Sequence, residues 1–165
     1  MKCADNVLLQ PMLPKADPFA RIIAIAALIP RVALACLTDL SPDEAYYLSA
    51  ARLHLVIPDH PPLTLWLLGL TDRLNVLPLE LRTRLFPLVS ATLTSLVLLR
   101  CARAVQHSSA SQRWVALLSS WLMLPLAGGF VFTPDTPFAL GLTLVLWANL
   151  SESRTAKVCG VLSAL

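Results

Sequence analysis

Two acidic residues stand side by side just after the first long apolar run of the chain, in segment 41–47, which reads SPDEAYY. Charge at the boundary between membrane and water is costly to hold, so it more often serves a function there. A carboxylate at this boundary can act as a general base towards an incoming hydroxyl or amine. It can also hold a divalent cation that binds a phosphate leaving group. Asp43 and Glu44 are therefore candidate catalytic residues.

The two carboxylates are not expected to perform one task jointly, because successive residues of an α-helix project about 100° apart. One of them can face an active cleft while the other packs against a basic residue. The alternative is that both are ordinary first-turn acids. The helix dipole favours such acids by roughly a few tenths of a kcal/mol.

A third carboxylate, Asp135, stands in segment 133–137, which reads TPDTP and lies between two apolar runs. It could instead bond its own turn or cap the following helix. We predict that it shares one site, on one face of a membrane, with Asp43. Asp59 and His60 precede two prolines, which favour an extended backbone and suit residues at the edge of a cleft.

A metal cluster of Asp43, His54, Asp59 and His60 is a weaker hypothesis, because their spacing matches no established metal motif. The alternative is that the histidines are polar residues at the membrane interface. The sequence therefore leaves the metal undetermined, with a divalent cation as the open possibility.

Three arginines stand where charge needs a partner. Arg31 lies about two-thirds of the way along the first apolar run, from which it could reach Asp39, another outer carboxylate or a lipid phosphate. Arg82 and Arg84 open the second run. An anionic lipid-phosphate donor is one candidate partner for them, and an ordinary salt bridge within the protein is the other.

The composition indicates what kind of scaffold must position these residues. Of 165 residues, 56% are apolar and 14% are charged, whereas soluble domains carry roughly 25% charged residues. This predicts an all-α integral membrane protein. The net charge is only +3, and the basic residues lie between apolar runs, so a nucleic-acid-binding face is not expected.

Four apolar runs could span a bilayer, and a truncated fifth begins at 158–165; the four are 19–38, 85–104, 114–132 and 137–150. Segment 61–76 is ambiguous. Its eight apolar residues would cover about 12 Å as a helix, against a hydrocarbon core of roughly 30 Å. We predict that it lies at the interface, with a short tilted span as the alternative.

The charges then separate into two sides. One side has eight basic and three acidic residues: Lys2, Lys15, Arg21, Arg100, Arg103, Arg113, Arg154 and Lys157, with Asp5, Asp17 and Glu152. The other has four basic and seven acidic residues: Arg52, Arg73, Arg82 and Arg84, with Asp39, Asp43, Glu44, Asp59, Asp72, Glu80 and Asp135. The positive-inside tendency makes the first side cytoplasmic, so residues 1–18 form a cytoplasmic tail and loop 39–84 faces outward.

Within the outer loop, residues 43–55 are predicted to form an amphipathic juxtamembrane helix. Ser41 suits the N-cap and Pro42 the first helical position. This helix and the interfacial segment 61–76 would together present the acidic residues of the loop to the outer face.

The acidic pair followed by Ala-Tyr-Tyr resembles the first outer loop of the GT-C glycosyltransferases. The nearest branch is glycosyltransferase family 39, with its protein O-mannosyltransferases and aminoarabinose transferases. Three further segments resemble family elements in the same order: 59–63 (DHPPL), 84–87 (RLFP) and 129–135 (GFVFTPD). The resemblance covers roughly residues 20–150. Members of the family are usually longer, so residues 19–157 correspond to the N-terminal part of the membrane domain.

The resemblance implies a polyprenyl-phosphate sugar donor and an inverting transfer to a hydroxyl of a protein, lipid or polysaccharide on the outer face. It implies catalytic roles for Asp43, Glu44 and Asp135. Substrate contacts are then expected from a further set: Tyr46, Asp59, His60, Arg31, Arg82 and Arg84. The expected location is the inner membrane of a bacterium, with the loop facing the periplasm.

Two alternatives remain open. The chain could be an inactive remnant or a scaffold protein whose acidic loop merely binds a lipid head group or a partner. A transporter is the weaker alternative, because the spans are few and paired broken helices are absent from the pattern, apart from the interruption at Pro30.

Overall fold

The computed structural model describes residues 17–55, 57, 62–105 and 108–150, and within them the chain is helical and has no strand. This confirms the predicted all-α class. The helices, in chain order, are α1 (Pro18–Ala26), α2 (Leu28–Leu37), α3 (Pro42–Arg52), α4 (Pro62–Asp72), α5 (Leu79–Val105), α6 (Ser109–Trp121), α7 (Met123–Gly128) and α8 (Asp135–Leu150).

Two stretches of the described chain are long and apolar enough to cross a membrane. The first is Pro18–Leu37, which comprises α1 and α2 and has 20 residues with a mean hydropathy of 2.0. The second is α5, with 27 residues and a mean hydropathy of 1.7. At 1.5 Å per residue they extend about 30 Å and about 40 Å. A turn at Ala27 separates α1 from α2, because Pro30 has no N–H to donate to the carbonyl of Ala26.

The third predicted run, 114–132, is not one helix. The backbone of Leu122 is extended, with ψ 151°, and divides the run into α6 and α7. Pro125 explains the break, since it offers no N–H to the carbonyl of Trp121 and its ring would crowd that carbonyl in a continuous helix. The fourth predicted run lies within α8, which has 16 residues.

Helix α5 is the central element, and it contacts α1, α2, α4, α6 and α8. Near its C-terminal end it packs against α1 and α6 through Leu99 and the alanines Ala20, Ala24 and Ala116. Such small residues allow close helix contact in membranes. Ser120 Oγ donates to Ser95 Oγ at 2.9 Å, which adds a hydrogen bond between α6 and α5.

Near its N-terminal end, α5 packs against α4, which in turn packs against α3. Their shared core includes Leu48 of α3, Leu65 and Leu68 of α4, and Phe132 of the loop before α8. Helix α4 has 11 residues and is therefore about 16 Å long, too short for a roughly 30 Å hydrocarbon core. Its length agrees with the prediction that this segment does not span the membrane.

Candidate active site

The start of α3 determines the directions of the two adjacent carboxylates. Ser41 Oγ accepts a hydrogen bond from the Glu44 N–H at 3.2 Å, and Glu44 Oε2 accepts one from the Ser41 N–H at 2.9 Å. The N-cap at Ser41 and Pro42 at the first helical position are as predicted, and the bond back from Glu44 completes a capping box. It leaves Asp43 exposed and turns Glu44 into the protein interior.

Glu44 forms a buried, two-pronged ion pair with Arg84 of α5. Arg84 Nε donates to Oε1 at 2.8 Å and Arg84 Nη2 donates to Oε2 at 2.7 Å. The two side chains are 0% and 2% exposed. The Phe132 N–H donates to Oε1 at 2.9 Å, so each oxygen of the Glu44 carboxylate accepts two hydrogen bonds. Both oxygens are thus fully occupied within the protein.

These contacts determine the ionisation of Glu44. Burial alone raises the pKa of its carboxyl group, because a charge is less stable away from water. Hydrogen bonds from Arg84 and from the backbone N–H groups of Phe132 and Ser41 act in the opposite direction and prevail. The pKa of Glu44 therefore lies below its usual value, and the residue is a permanent anion at neutral pH.

Arg84 also binds the chain where α2 ends. Its Nη1 donates to the carbonyl of Ala35 at 3.0 Å and to both the carbonyl and Oγ1 of Thr38 at 2.8 Å. Its Nη2 donates to the carbonyl of Asp39 at 2.8 Å. The last carbonyls of a helix have no partner within that helix, and a guanidinium can satisfy them. Arg84 thus joins the C-terminal end of α2 to Glu44 of α3.

The loop before α8 joins the same assembly through Phe132. Besides its backbone bond to Glu44, the Phe132 ring packs against Tyr47 with centroids 6.0 Å apart. Asp135 follows three residues later, exposed, in the first turn of α8. The loop is therefore held against α3, although the two segments are far apart in sequence.

Tyr47 lies within the electrostatic influence of both exposed carboxylates. Its pKa is raised, first by burial and then by the negative charges of Asp43 and Asp135, with a contribution from Tyr46. Asp43 and Asp135 are thus both within electrostatic range of one phenol group. The prediction from the sequence missed Tyr47, yet a signal existed: it lies four residues after Asp43 and so on the same helix face.

The remaining predicted residues of the outer loop lie around this cluster or apart from it. Tyr46 is exposed, and its ring centroid is 5.7 Å from that of Tyr47. Arg82 Nη1 donates to Asn75 Oδ1 at 2.7 Å, and Arg82 Nε lies 3.2 Å from an oxygen of Asp72. Arg82 and Arg84 therefore both occupy ion pairs within the protein. Asp59 and His60 lie outside the described residues.

Arg31 is fully buried beside the break between α6 and α7. Its Nη2 donates to the carbonyls of Ser120 at 3.2 Å and Pro125 at 3.1 Å, which the broken helix leaves available. A Cβ added at Gly129 would stand 2.8 Å from Arg31 Cζ, so the glycine makes room for the guanidinium. No carboxylate among the described residues pairs with Arg31.

A cleft of about 610 Å³ lies between the later part of α3 and α4. Its lining includes His54, Leu65, Trp66, Leu70 and Arg73, and no carboxylate among the described residues. Within the described ranges, no three or more histidine, cysteine or acidic side chains are grouped so as to hold a metal ion. The cleft is therefore a mainly apolar surface between α3 and α4, and it shares no lining residue with Asp43, Tyr47 or Asp135.

Comparison with known proteins bears on both the fold and the site. The family model described as dolichyl-phosphate-mannose-protein mannosyltransferase matches residues 59–161, which is more than half of the chain. The matched segment includes Arg82, Arg84 and Asp135, whereas Asp43 and Glu44 precede it. No curated protein and no solved structure matches the chain. The chain therefore belongs to the dolichyl-phosphate-mannose-protein mannosyltransferase family, a glycosyltransferase family of the GT-C type, as its motifs predict.

Proposed function

We propose that this protein transfers a sugar from a polyprenyl-phosphate donor to a hydroxyl group of an acceptor at the outer face of a membrane. Family membership supports glycosyl transfer in general. The observation that carries the proposal further is the position of Phe132, which bonds to Glu44 and packs on Tyr47 and so holds the segment of Asp135 against the helix that bears Asp43. The charges of both carboxylates also raise the pKa of Tyr47. Exposed acids brought together in this way suit a site that receives a polar acceptor.

Asp43 is the proposed general base. It takes the proton of the acceptor hydroxyl as that oxygen attacks the anomeric carbon of the sugar. The bond from the anomeric carbon to the phosphate oxygen breaks as the new bond forms on the opposite face, so configuration inverts. The phosphate departs as an anion on the polyprenyl chain. Asp135 helps to orient the acceptor, and two carboxylates would also suit a divalent cation.

The buried pair Glu44–Arg84 has a different proposed role: it positions the segments that bear Asp43 and Asp135 and takes no direct part in the reaction. Its atoms are enclosed and fully bonded, and it joins α2, α3, α5 and the loop before α8. Breaking it would displace Asp43 and Asp135 relative to each other. We assign Arg31 the same kind of role at the α6–α7 break, whereas the outer-loop residues Tyr46, Asp59, His60 and Arg82 remain proposed contacts for the donor.

The proposed membrane arrangement has four spans, at α1–α2, α5, α6–α7 and α8, with a fifth beginning at 158–165. The basic ends of these spans face the cytoplasm and loop 39–84 faces outward, into the periplasm of a bacterium. The support is the charge separation together with the position of the carboxylate cluster at the acidic end of the bundle. In this arrangement the polyprenyl-phosphate donor, which is held in the membrane, reaches the site from the same side as the acceptor.

The test is sugar transfer in membranes that contain Asp43→Asn, with Asp39→Asn as the matched control. Both positions are exposed acids of the outer loop, four residues apart. Removing a general base is expected to lower the transfer rate about a hundredfold or more. The control is expected to retain the wild-type rate. Equal rates in both variants would contradict the role of Asp43, and absence of transfer by the unaltered protein would favour the scaffold alternative.

A further inference from the structure

A second cavity, of about 280 Å³, lies at the end of the bundle away from the carboxylate cluster. Its walls come from Asp17 and α1, the C-terminal third of α5 and the start of α6. The polar side chains that line it are Asp17, Arg21, Arg100, Arg103 and Gln112. These helix ends are the boundaries of the two candidate spans, so the cavity lies at the level of a membrane surface.

The cavity is strongly basic. Three arginines line it beside one acidic residue, Asp17, whose carboxylate is already paired, since Arg113 Nε donates to Asp17 Oδ2 at 2.6 Å. Arg113 itself packs over the Phe19 ring at 5.2 Å and does not line the cavity. The positive charge of the lining is therefore not cancelled by Asp17.

Gln112 adds an unused donor to this basic lining. Its side chain is 2% exposed, and its Oε1 accepts a hydrogen bond from the Asp17 N–H at 3.0 Å. Its Nε2 has no hydrogen-bond partner among the described residues. A buried donor without an acceptor is costly, so its presence in the wall of a cavity indicates a ligand that accepts hydrogen bonds.

The position also suits a group at the membrane interface. Arg100 packs over the ring of Trp147 at 5.0 Å, and tryptophans are enriched at the level of lipid head groups. Arginine offers a planar fork of donors that matches the oxygens of a phosphate. Basic pockets between the cytoplasmic ends of membrane helices bind anionic head groups in this way.

We propose that this cavity binds the phosphate group of an anionic phospholipid head group. Arg21 and Arg100 flank the phosphate, and Gln112 Nε2 donates a hydrogen bond to one of its oxygens. Asp17 stays paired with Arg113 at the edge. The bound lipid would anchor α1, α5 and α6 to one another at the side opposite the proposed sugar transfer. The proposal is independent of that reaction, because it uses none of the residues of the carboxylate cluster.

The test measures thermal unfolding of the full chain in nanodiscs of phosphatidylcholine, with increasing fractions of phosphatidylglycerol. A ligand that binds only the folded state raises the unfolding temperature, so the series gives an apparent affinity. Arg21→Gln is expected to weaken this affinity about fivefold, the equivalent of about 1 kcal/mol for one basic residue near the surface. Arg73→Gln, an exposed arginine lining the other cleft, is the control and should leave the affinity unchanged.

Gln112→Glu is the sharper variant. It keeps an acceptor for the Asp17 N–H and replaces the unused donor with a carboxylate among the arginines. Stabilisation by phosphatidylglycerol should then be lost, while the unfolding temperature in phosphatidylcholine is retained or raised.

Titration of inorganic phosphate into phosphatidylcholine nanodiscs identifies the source of the ligand. Stabilisation by phosphatidylglycerol alone supports a lipid site, and stabilisation by both supports a phosphate site also open to soluble phosphate. Equal stability of the unaltered protein in all lipid mixtures, or an unaltered lipid response in Gln112→Glu, would overturn the proposal.

Discussion

At the scale of residues, Asp43 and Glu44 differ in exposure and in partners although they are adjacent. The capping box at Ser41 points Glu44 inward to Arg84 and leaves Asp43 in solvent. The cap depends on local sequence and was predictable, and so was the possibility that one acid faces a cleft while the other packs against a basic residue. Which arginine pairs with Glu44 was not predictable, because Arg84 lies 40 positions away in sequence.

The buried pair should be essential for stability. Glu44→Gln leaves the Arg84 charge enclosed without a counterion, so we expect the free energy of unfolding to fall by about 3–5 kcal/mol. Arg52→Gln is the control, since it removes only the more exposed pair with Asp72, leaves the contact between Asp72 and Arg82 in place, and should cost about 1 kcal/mol or less. Reversible unfolding in detergent micelles measures both. Similar losses in the free energy of unfolding for the two variants would contradict a special contribution of the buried pair to stability.

The same pair has a pH signature. The pKa of Glu44 is lower in the folded state than its usual 4.5, so its contribution to stability is complete above that pH. The contribution is lost as the pH falls through the folded pKa. The free energy of unfolding of Glu44→Gln should therefore fall less than that of the wild type as the pH is lowered. Identical pH dependence of the two proteins would argue against a lowered pKa of Glu44.

At the scale of elements, the positions where helices are interrupted matter to the fold as much as the helices do. Prolines explain the turn at Ala27 and the extended Leu122, because each removes one helix hydrogen bond. The sequence indicated the first interruption through Pro30. The sequence also predicted an unbroken third span at 114–132. The residues around Pro125 are apolar, and a hydropathy profile does not detect the hydrogen bond that a proline removes from a helix. Arg31 fills the resulting break, and only its hydrogen bonds to Ser120 and Pro125 in the folded chain reveal that contact.

This arrangement makes Gly129 and Gly128 respond differently to the same substitution. An alanine at 129 would place its Cβ 2.9 Å from the Pro125 carbonyl and against the buried Arg31 guanidinium, so neither neighbour can yield easily. We expect Gly129→Ala to destabilise the protein by about 1–3 kcal/mol. Gly128→Ala meets nothing within 4 Å and should be neutral or slightly stabilising. Equal unfolding temperatures for the two variants would contradict the proposed contact.

At the scale of the whole molecule, the two ends of the bundle have different chemistry. One end collects the exposed carboxylates Asp43 and Asp135, and the other collects arginines around the cavity near Gln112. The charge pattern of the sequence predicted this separation. The charge pattern could not show how α3 meets the loop before α8. That meeting depends on the contacts of Phe132 with Glu44 and Tyr47, which join distant parts of the chain.

The most direct measurement is a double-mutant cycle on sugar transfer with Asp43→Asn, Asp135→Asn and the combined variant. If the two carboxylates serve one site, their effects are strongly non-additive, as for other residues that act as a unit. We predict that each single variant transfers more slowly than the wild type and that the combined variant is no slower than the more damaged single one. A wild-type rate in either single variant, or a combined loss equal to the product of the two, would contradict a shared site.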